Sequence, residues 1–185
     1  MNIAGFDEVG RGAWAGPLVV AGAVLDDRRT TSFRDSKHYR PAPRMQALLE
    51  VYAQALAISI SVVPAAEVDT LGLGLSLAMA FQSAQHQLNI QAEQYIVDGA
   101  TNYLHGIAGS RAEPKADDNH QAVAAASIVA KVHRDEFMRV AAMRFSDYGF
   151  ERHVGYGTAA HRDNLRQFGA CQLHRLSFKP VASMS

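Results

Sequence analysis

Residues 2–25 read NIAGFDEVGRGAWAGPLVVAGAVL. Two short apolar runs in this stretch, residues 2–6 and 17–25, are bounded by turn-forming residues, a pattern that predicts two buried strands. The acid pair Asp7-Glu8 and the segment Gly10-Arg11-Gly12 lie between them. A carboxylate in or beside a sheet is costly unless it is hydrogen-bonded, paired or neutralised by a cation. The acid pair therefore indicates either a solvated turn or, if partners lie elsewhere in the chain, a metal and phosphate site.

The composition limits the class of protein. The chain has 185 residues, 48% of them hydrophobic, which suffices for one substantial core, and we expect a single domain over residues 1–185. No apolar run approaches the roughly 20 residues of a membrane helix, and the N-terminus lacks a signal-peptide pattern, so we expect a cytoplasmic protein with no membrane partner. With Cys171 as the one cysteine, an internal disulfide and cysteine-rich zinc sites are excluded.

The net charge of zero gives no overall signature of nucleic-acid binding, but the charges are unevenly distributed. Residues 1–100 carry 7 Lys or Arg and 10 Asp or Glu, whereas residues 101–185 carry 11 and 8. From Arg152 onward there are five basic residues and one acid, Asp163. This last segment indicates either a phosphate-binding surface or a solvated basic face.

Strands and helices alternate in the rest of the chain, which predicts a mixed α/β domain. Hydrophobic periodicity predicts two further strands, over residues 58–63 and 94–98. It also predicts helices over about 73–88, 119–145 and 158–168, and one that starts after Pro41 and Pro43. The apolar face of that first helix is expected to comprise Met45, Leu48, Leu49, Tyr52 and Leu56.

Helix-capping residues mark two of the predicted helices. Asp118 or Asn119 is the expected N-cap of the long alanine-rich helix. Thr158 is the expected N-cap of the short helix near the C-terminus, and Gly169 is expected to end it.

Two further acids stand where the first pair could meet them. Asp98 ends a predicted strand as Asp7 does, so the two carboxylates lie side by side if their strands pair. Asp117 precedes the long helix, where a helix N-terminus favours negative charge, and a simple capping role for it stays open. Four carboxylates in one region repel each other unless divalent cations bind, and oxygen ligands suit Mg²⁺ or Mn²⁺. Two such ions about 4 Å apart can promote phosphoryl displacement by water.

The chain contains, in this order, the motifs Asp7-Glu8-Val9-Gly10-Arg11-Gly12, Gly16-Pro17, Asp35-Ser36-Lys37, Val97-Asp98-Gly99, Lys115-Ala116-Asp117, residues 125–132 with Arg134-Asp135, Gly155-Tyr156 with Thr158 and His161, and Arg175-Leu176-Ser177-Phe178. In these motifs the chain resembles ribonuclease HII, the prokaryotic type 2 ribonuclease H family. The resemblance implies a ribonuclease H-like fold, with a mixed central sheet flanked by helices and a helical C-terminal region. It also implies metal-dependent endonucleolytic cleavage of RNA in RNA/DNA hybrids and at ribonucleotides embedded in duplex DNA. Cleavage would occur on the 5′ side of the ribonucleotide and leave a 3′-hydroxyl and a 5′-phosphate.

The resemblance also assigns roles to particular residues. It implies that Asp7, Glu8, Asp98 and Asp117 are the catalytic acids and hold two Mg²⁺ or Mn²⁺ ions. It implies that Gly10, Arg11, Gly12 and Tyr156 read the ribose 2′-hydroxyl, which distinguishes RNA from DNA, and that Ser36 and Lys37 contact DNA phosphates. We expect a monomer, and the sequence leaves binding to a replication clamp open.

The chain departs from the family pattern beside these residues. Ala13 and Trp14 stand where the family usually has Pro and an aliphatic residue. Val154 and Gly157 flank Tyr156 where Lys and Pro are usual. We therefore expect these departures to affect selectivity for the junction between RNA and DNA more than the cleavage chemistry.

Two alternatives stay open. One is a ribonuclease HIII-like preference for long hybrids, which we expect to be weaker because that relative normally carries an extra N-terminal domain and this sequence opens on the first predicted strand. The other is a hybrid-binding protein without catalysis, against which the four acids argue.

The long helix and the following segment hold further polar candidates. Ser127, Lys131 and Arg134 share one face of the long helix, and Ser127 is expected to be a small packing residue and not a nucleophile. Of the five histidines after residue 119, His161 is the one expected to approach the site.

Overall fold

The computed structural model describes residues 1–26, 33 and 41–184, and for residues 41 and 42 it describes the backbone only. Its centre is a five-stranded sheet with the order β3-β2-β1-β4-β5. The strands are β1 Asn2–Val9, β2 Leu18–Asp26, β3 Ala57–Val63, β4 Gln94–Asp98 and β5 Ser110–Glu113. The helices are α1 Pro41–Gln54, α2 Ala65–Leu71, α3 Leu73–Gln87, α4 Ala116–Asn119, α5 Gln121–Arg144, α6 Phe150–His153, α7 Ala159–Phe168 and α8 Lys179–Ala182, with a 3₁₀ turn at Ser146–Tyr148.

The sheet contains both antiparallel and parallel strand pairs. β1 pairs with β2 and β2 pairs with β3 in antiparallel fashion, whereas β1 pairs with β4 and β4 pairs with β5 in parallel. The residues after β5 are mainly helical, so the mixed sheet and the helical C-terminal region expected from the resemblance are both present.

Helices cover both faces of the sheet, because alternate side chains of β2 point to opposite sides. Val19 and Ala21 pack with α1 and α5 on one face, whereas Leu18 and Val20 pack with α3 on the other. The alanine-rich α5 lies very close to β1. A Cβ added at Gly5 would stand 2.2 Å from the backbone nitrogen of Val123. This close approach brings the polar residues of α5 to the end of β1 that carries the acids.

Several boundaries differ from those expected. β1 extends to Val9, so Asp7 and Glu8 are paired strand residues and do not lie in a turn. The expected N-cap at Asp118 or Asn119 is wrong, because the long helix is broken at His120, which is the N-cap of α5. The other expected caps are confirmed: the Thr158 hydroxyl accepts the His161 backbone N–H at 3.2 Å, and Gly169 ends α7.

The apolar face expected for α1 was also wrong in part. Leu48 is buried with Ala47 and Val51, whereas Met45, Leu49, Tyr52 and Leu56 are exposed. The sequence did not predict α2, β5 or α6. β5 has the sequence Ser-Arg-Ala-Glu, which contains one apolar residue and none that is fully buried, so it lacks the apolar pattern that marks a strand.

Within the described residues, every helix is too short or too polar to cross a membrane.

Candidate active site

The parallel pairing of β1 and β4 brings two of the predicted acids together. Phe6 is the register partner of Val97, so the next residues, Asp7 and Asp98, are neighbours at the same edge of the sheet. They open into a cavity of about 400 Å³, which we call the acidic cavity. Its lining residues are Asp7, Glu8, Val9, Gly10, Arg11, Gly12, Asp98, Ser127, Lys131 and Tyr156.

Of the ten predicted site residues, the structure describes eight, and seven of these line this cavity. Asp117 is buried on α4, and the backbone N–H of its neighbour Ala116 donates to Asp98 Oδ1 at 2.8 Å. This hydrogen bond places α4 directly beside the acidic cavity, although Asp117 is not among the lining residues. Ser36 and Lys37 lie outside the described residues.

Burial makes the carboxyl of Asp7 a weak acid. Loss of solvation raises its pKa from 3.8 to about 8, the Ser127 hydroxyl lowers it by a hydrogen bond, and the charges of Glu8 and Asp98 raise it. Burial likewise raises the pKa of Glu8, against the opposing charge of Arg11, whose Nη1 lies 3.7 Å from Glu8 Oε1. Loss of solvation therefore disfavours the charged form of both carboxyls, and a nearby positive charge favours it.

The acids fit a divalent cation by their chemistry. Carboxylate oxygens are the donors that Mg²⁺ and Mn²⁺ prefer, and a cation would favour the ionised forms that burial disfavours. In the arrangement of residues 1–26, 33 and 41–184, however, no three His, Cys, Asp or Glu side chains converge well enough to hold a metal ion. The described residues thus provide carboxylate donors whose charged forms a cation would stabilise. They do not form a complete coordination sphere in this arrangement.

Two buried arginines, to which the sequence assigned no role at the site, fix the loop after β1. Arg134 donates to the carbonyl oxygens of Pro17 at 2.9 Å and Ala15 at 3.0 Å. Arg175 donates to the carbonyls of Gly16 and Arg11 at distances of 3.0 to 3.2 Å. Both side chains are fully buried, so Arg175 does not belong to an exposed basic surface as the charge pattern of the C-terminal segment allowed.

Arg134 also supports Tyr156, which lines the acidic cavity. The Arg134 guanidinium carbon lies 5.3 Å from the centre of the Tyr156 ring, within the range of a cation–π contact. Arg134 Nη1 also donates to the Val154 carbonyl at 2.8 Å, and Val154 has a left-handed backbone with φ of 44°. A branched side chain is rarely found there, so Arg134 holds a strained turn in place.

Trp14 and Gly157, two departures from the family pattern, contact each other. A Cβ added at Gly157 would lie 2.2 Å from Cε2 of the Trp14 indole. The indole therefore occupies the space that a side chain at position 157 would need. The two departures compensate for each other sterically.

This contact gives a prediction about stability. Gly157→Ala should lower the free energy of unfolding by about 1–3 kcal/mol, because overpacking forces neighbouring atoms to move. Trp14→Ala should remove most of that extra cost in a double-mutant cycle measured by urea unfolding. Gly106→Ala is the control, because a Cβ there has no atom within 4 Å. Simple additivity of the two changes would contradict the prediction.

Of the polar residues on α5, Ser127 has the expected packing role, whereas Lys131 was not predicted to lie at the site. Ser127 is buried, and its hydroxyl is hydrogen-bonded to the Asp7 carboxyl, which fits a packing and positioning role. Lys131 lines the acidic cavity, with Nζ 2.7 Å from Asp135 Oδ1. The spacing of four residues from Ser127 was the signal that could have assigned it to the site.

His161 does not line the acidic cavity but lies behind it. Its ring is fully buried, and Nδ1 lies 3.0 Å from the carbonyl oxygen of Tyr156. A larger cavity of about 550 Å³, beside Tyr95 and His86, contains none of the predicted site residues.

Comparison with known proteins agrees with this arrangement. The model of the family described as ribonuclease HII matches residues 4–181. Ribonuclease HII of a Thermus thermophilus strain is 43% identical over 180 residues, covering 97% of this chain and 87% of that protein. Ribonuclease HII of a Parafrankia species is 40% identical over 190 residues, covering 99% and 77%.

A solved structure is similar over the whole length. The crystal structure of ribonuclease H2 from Pyrococcus horikoshii superposes with a TM-score of 0.86 at 25% identity, covering 100% of this chain and 97% of that one. Sequence relatives, family model and fold agree along nearly all of the sequence. The chain belongs to the ribonuclease HII family and is a ribonuclease H endonuclease.

Proposed function

We propose that this endonuclease cleaves RNA/DNA hybrids and duplex DNA with embedded ribonucleotides, on the 5′ side of the ribonucleotide, leaving a 3′-hydroxyl and a 5′-phosphate. The observation that carries the proposal is the shared cavity. Asp7, Glu8 and Asp98 face the same space as Gly10-Arg11-Gly12 and Tyr156. A substrate bound there would contact both the catalytic acids and the residues proposed to recognise the ribose.

The acids have the proposed role of metal ligands. Asp7, Glu8, Asp98 and Asp117 would hold Mg²⁺ or Mn²⁺, two ions per site, which supply an activated water and stabilise the departing 3′-oxygen. Ser127 orients the Asp7 carboxyl through its hydrogen bond. Ala116 N–H orients Asp98 in the same way at 2.8 Å. Asp7 and Asp98 are thus oriented by the protein before substrate binds.

The proposed recognition of ribose uses Gly10 and Tyr156, which line the same cavity as the acids. Gly10 has φ of 90°, a conformation open to glycine, so its backbone groups can point to the sugar. Tyr156 is held by Arg134 on one ring face. A 2′-hydroxyl between these groups can both donate and accept a hydrogen bond, whereas deoxyribose cannot.

A cleavage assay tests the proposal. A duplex with one internal ribonucleotide and a continuous RNA/DNA hybrid, each labelled at the 5′ end, are incubated with Mg²⁺ or Mn²⁺. We expect one cut 5′ of the single ribonucleotide and a product that a polymerase extends from its 3′-hydroxyl. Cleavage of the continuous hybrid alone would favour the ribonuclease HIII-like preference, and metal-independent binding without product would favour a non-catalytic hybrid binder.

Lys131 adds a prediction about substrate binding. Asp135 holds its Nζ at 2.7 Å, and Asp135 also binds Arg44 at 3.2 Å, so the lysine is positioned at the wall of the acidic cavity. Lys131→Ala should raise KM about tenfold and reduce the salt dependence of binding by about one phosphate contact. KM measured across a sodium chloride series checks this. Arg111→Ala, on the edge strand β5, is the control and should change neither quantity.

The proposed location is the cytoplasm, and the proposed role is repair of ribonucleotides in DNA during replication.

A further inference from the structure

A buried histidine pair lies directly behind Tyr156. His161, on α7, is fully buried, and His174, in the segment before α8, is 2% exposed. Their Nε2 atoms are 3.0 Å apart. The rings of Phe150 and Tyr148 pack around them, with Phe150 5.7 Å from each histidine ring. Both imidazoles are buried, so neither can act by contact with solvent.

The hydrogen bonds fix where each ring carries its hydrogen. His174 Nδ1 lies 2.9 Å from the backbone nitrogen of Cys171 and 3.3 Å from its carbonyl oxygen, and the shorter contact, in which the Cys171 N–H donates, assigns the hydrogen of a neutral His174 to Nε2. That Nε2–H donates to His161 Nε2, which leaves the hydrogen of His161 on Nδ1. His161 Nδ1–H then donates to the Tyr156 carbonyl at 3.0 Å. The result is one continuous chain of three hydrogen bonds, the histidine relay.

The neutral state that the relay needs is the one that the surroundings favour. Burial lowers the pKa of His161 to about 4, and burial lowers the pKa of His174 as well. Burial therefore favours the uncharged form of both rings. A second hydrogen on His161 would face the Nε2–H of His174 and break the relay.

The relay joins the two walls of the acidic cavity. The segment of His174 is paired with the loop after β1, because Ala15 and His174 form a β-bridge and Arg175 N–H donates to the Trp14 carbonyl at 2.8 Å. At its other end the relay holds the Tyr156 carbonyl, which also accepts the Thr158 N–H at 2.8 Å. The loop that carries Gly10-Arg11-Gly12 and the turn that carries Tyr156 are also joined directly, because the Gly155 carbonyl accepts the Trp14 N–H at 2.8 Å and the Ala15 N–H at 3.2 Å. The relay adds a side-chain link that ends on the Tyr156 carbonyl itself.

We propose that His161 and His174 are positioning residues that fix Tyr156 against the Gly10-Arg11-Gly12 loop and so govern recognition of the ribonucleotide, not cleavage of the bond. This inference rests on the proposed role of Tyr156. Neither histidine lines the acidic cavity, so each acts through Tyr156 and not by touching the substrate.

Kinetics on a duplex with one ribonucleotide test the proposal. His161→Leu removes the donor to Tyr156 and should raise KM about tenfold while kcat changes less than about twofold, the loss expected for one hydrogen bond in binding. His161→Asn keeps a donor near the Nδ1 position and should return KM close to the wild-type value. His174→Phe keeps a ring but removes its Nε2–H, and it should raise KM as well. His86→Leu, at a distant histidine on α3, is the control.

Nitrogen NMR of the histidine side chains in the wild-type protein tests the relay independently of activity. At pH 7 we expect His174 as the Nε2–H tautomer and His161 as the Nδ1–H tautomer. Other tautomers, a charged ring at pH 7, an unchanged KM in His161→Leu, or equal losses in His161→Leu and His161→Asn would each overturn the proposal. A wild-type protein that cuts no ribonucleotide-containing duplex would instead contradict the proposed function, while the NMR result would still decide the relay.

Discussion

Asp98→Asn is expected to lower the rate of cleavage at a single ribonucleotide by about 10³-fold or more. The substitution removes a negative charge from the proposed metal ligands, and ions bound there would contribute several kcal/mol of transition-state stabilisation. The fold should be unaffected, because an asparagine Oδ1 can still accept the Ala116 N–H that Asp98 Oδ1 accepts at 2.8 Å. Single-turnover cleavage in Mg²⁺, with thermal unfolding measured in parallel, checks both expectations.

The matched control is Asp118→Asn. Asp118 is an exposed acid on α4, next to Asp117 in the chain, and it lies outside the acidic cavity. Its substitution removes the same charge from the same region and should leave the rate near the wild-type value. Full activity of Asp98→Asn in Mg²⁺, or an equal loss in the control, would contradict the assignment of Asp98.

The second large effect concerns stability against pH in the metal-free protein. The pKa of Asp7 is raised by burial from 3.8 to about 8. Between these two values the folded state therefore keeps a proton that the unfolded state has lost. Stability from this group is fully present below pH 3.8 and is lost as pH rises toward 8. The free energy of unfolding should fall by about 3 kcal/mol between pH 5 and pH 7 through Asp7, since each pH unit corresponds to about 1.4 kcal/mol.

Asp7→Asn isolates this contribution. The amide has no proton to lose, so urea unfolding of the variant in a chelator should show a flatter decline with pH than the wild type. Millimolar Mg²⁺ should reduce the difference at pH 7, because a bound cation favours the ionised carboxylate. Parallel stability curves for the two proteins in chelator would show that Asp7 ionises normally in the folded state.

Much of the site could be predicted because its main determinants are local in sequence. Apolar runs that end on an acid mark Asp7 and Asp98, and pairing of their strands is enough to bring them together. The motif beside Asp7 and the tyrosine at position 156 were recognisable as residues of a known pattern. These signals do not depend on packing details, so they can be recognised in the sequence alone.

The supporting residues could not be predicted for a physical reason. Arg134 binds carbonyl oxygens 117 to 119 residues earlier in the chain, and main-chain carbonyls leave no mark in the sequence. An arginine is ordinarily assigned to the surface, since charged side chains are rarely buried without a partner. The histidine relay is hidden likewise, because His161 and His174 meet only when α7 and the C-terminal segment have folded onto each other. β5 could not be predicted because its four residues include one apolar side chain and therefore show no strand periodicity.

Helix α5 has a consequence for how this enzyme can vary. Ser127 contacts Asp7, Lys131 borders the acidic cavity, and Arg134 holds both the loop after β1 and Tyr156. These three side chains stand on successive turns of one rigid rod. Inserting one residue between positions 127 and 134 would rotate Arg134 by about 100° relative to Ser127. The register of this helix therefore sets the position of the catalytic acids relative to the groups proposed to recognise the ribonucleotide. Point substitutions can change cleavage or recognition separately, whereas a change in helix length would move the two sets of residues apart.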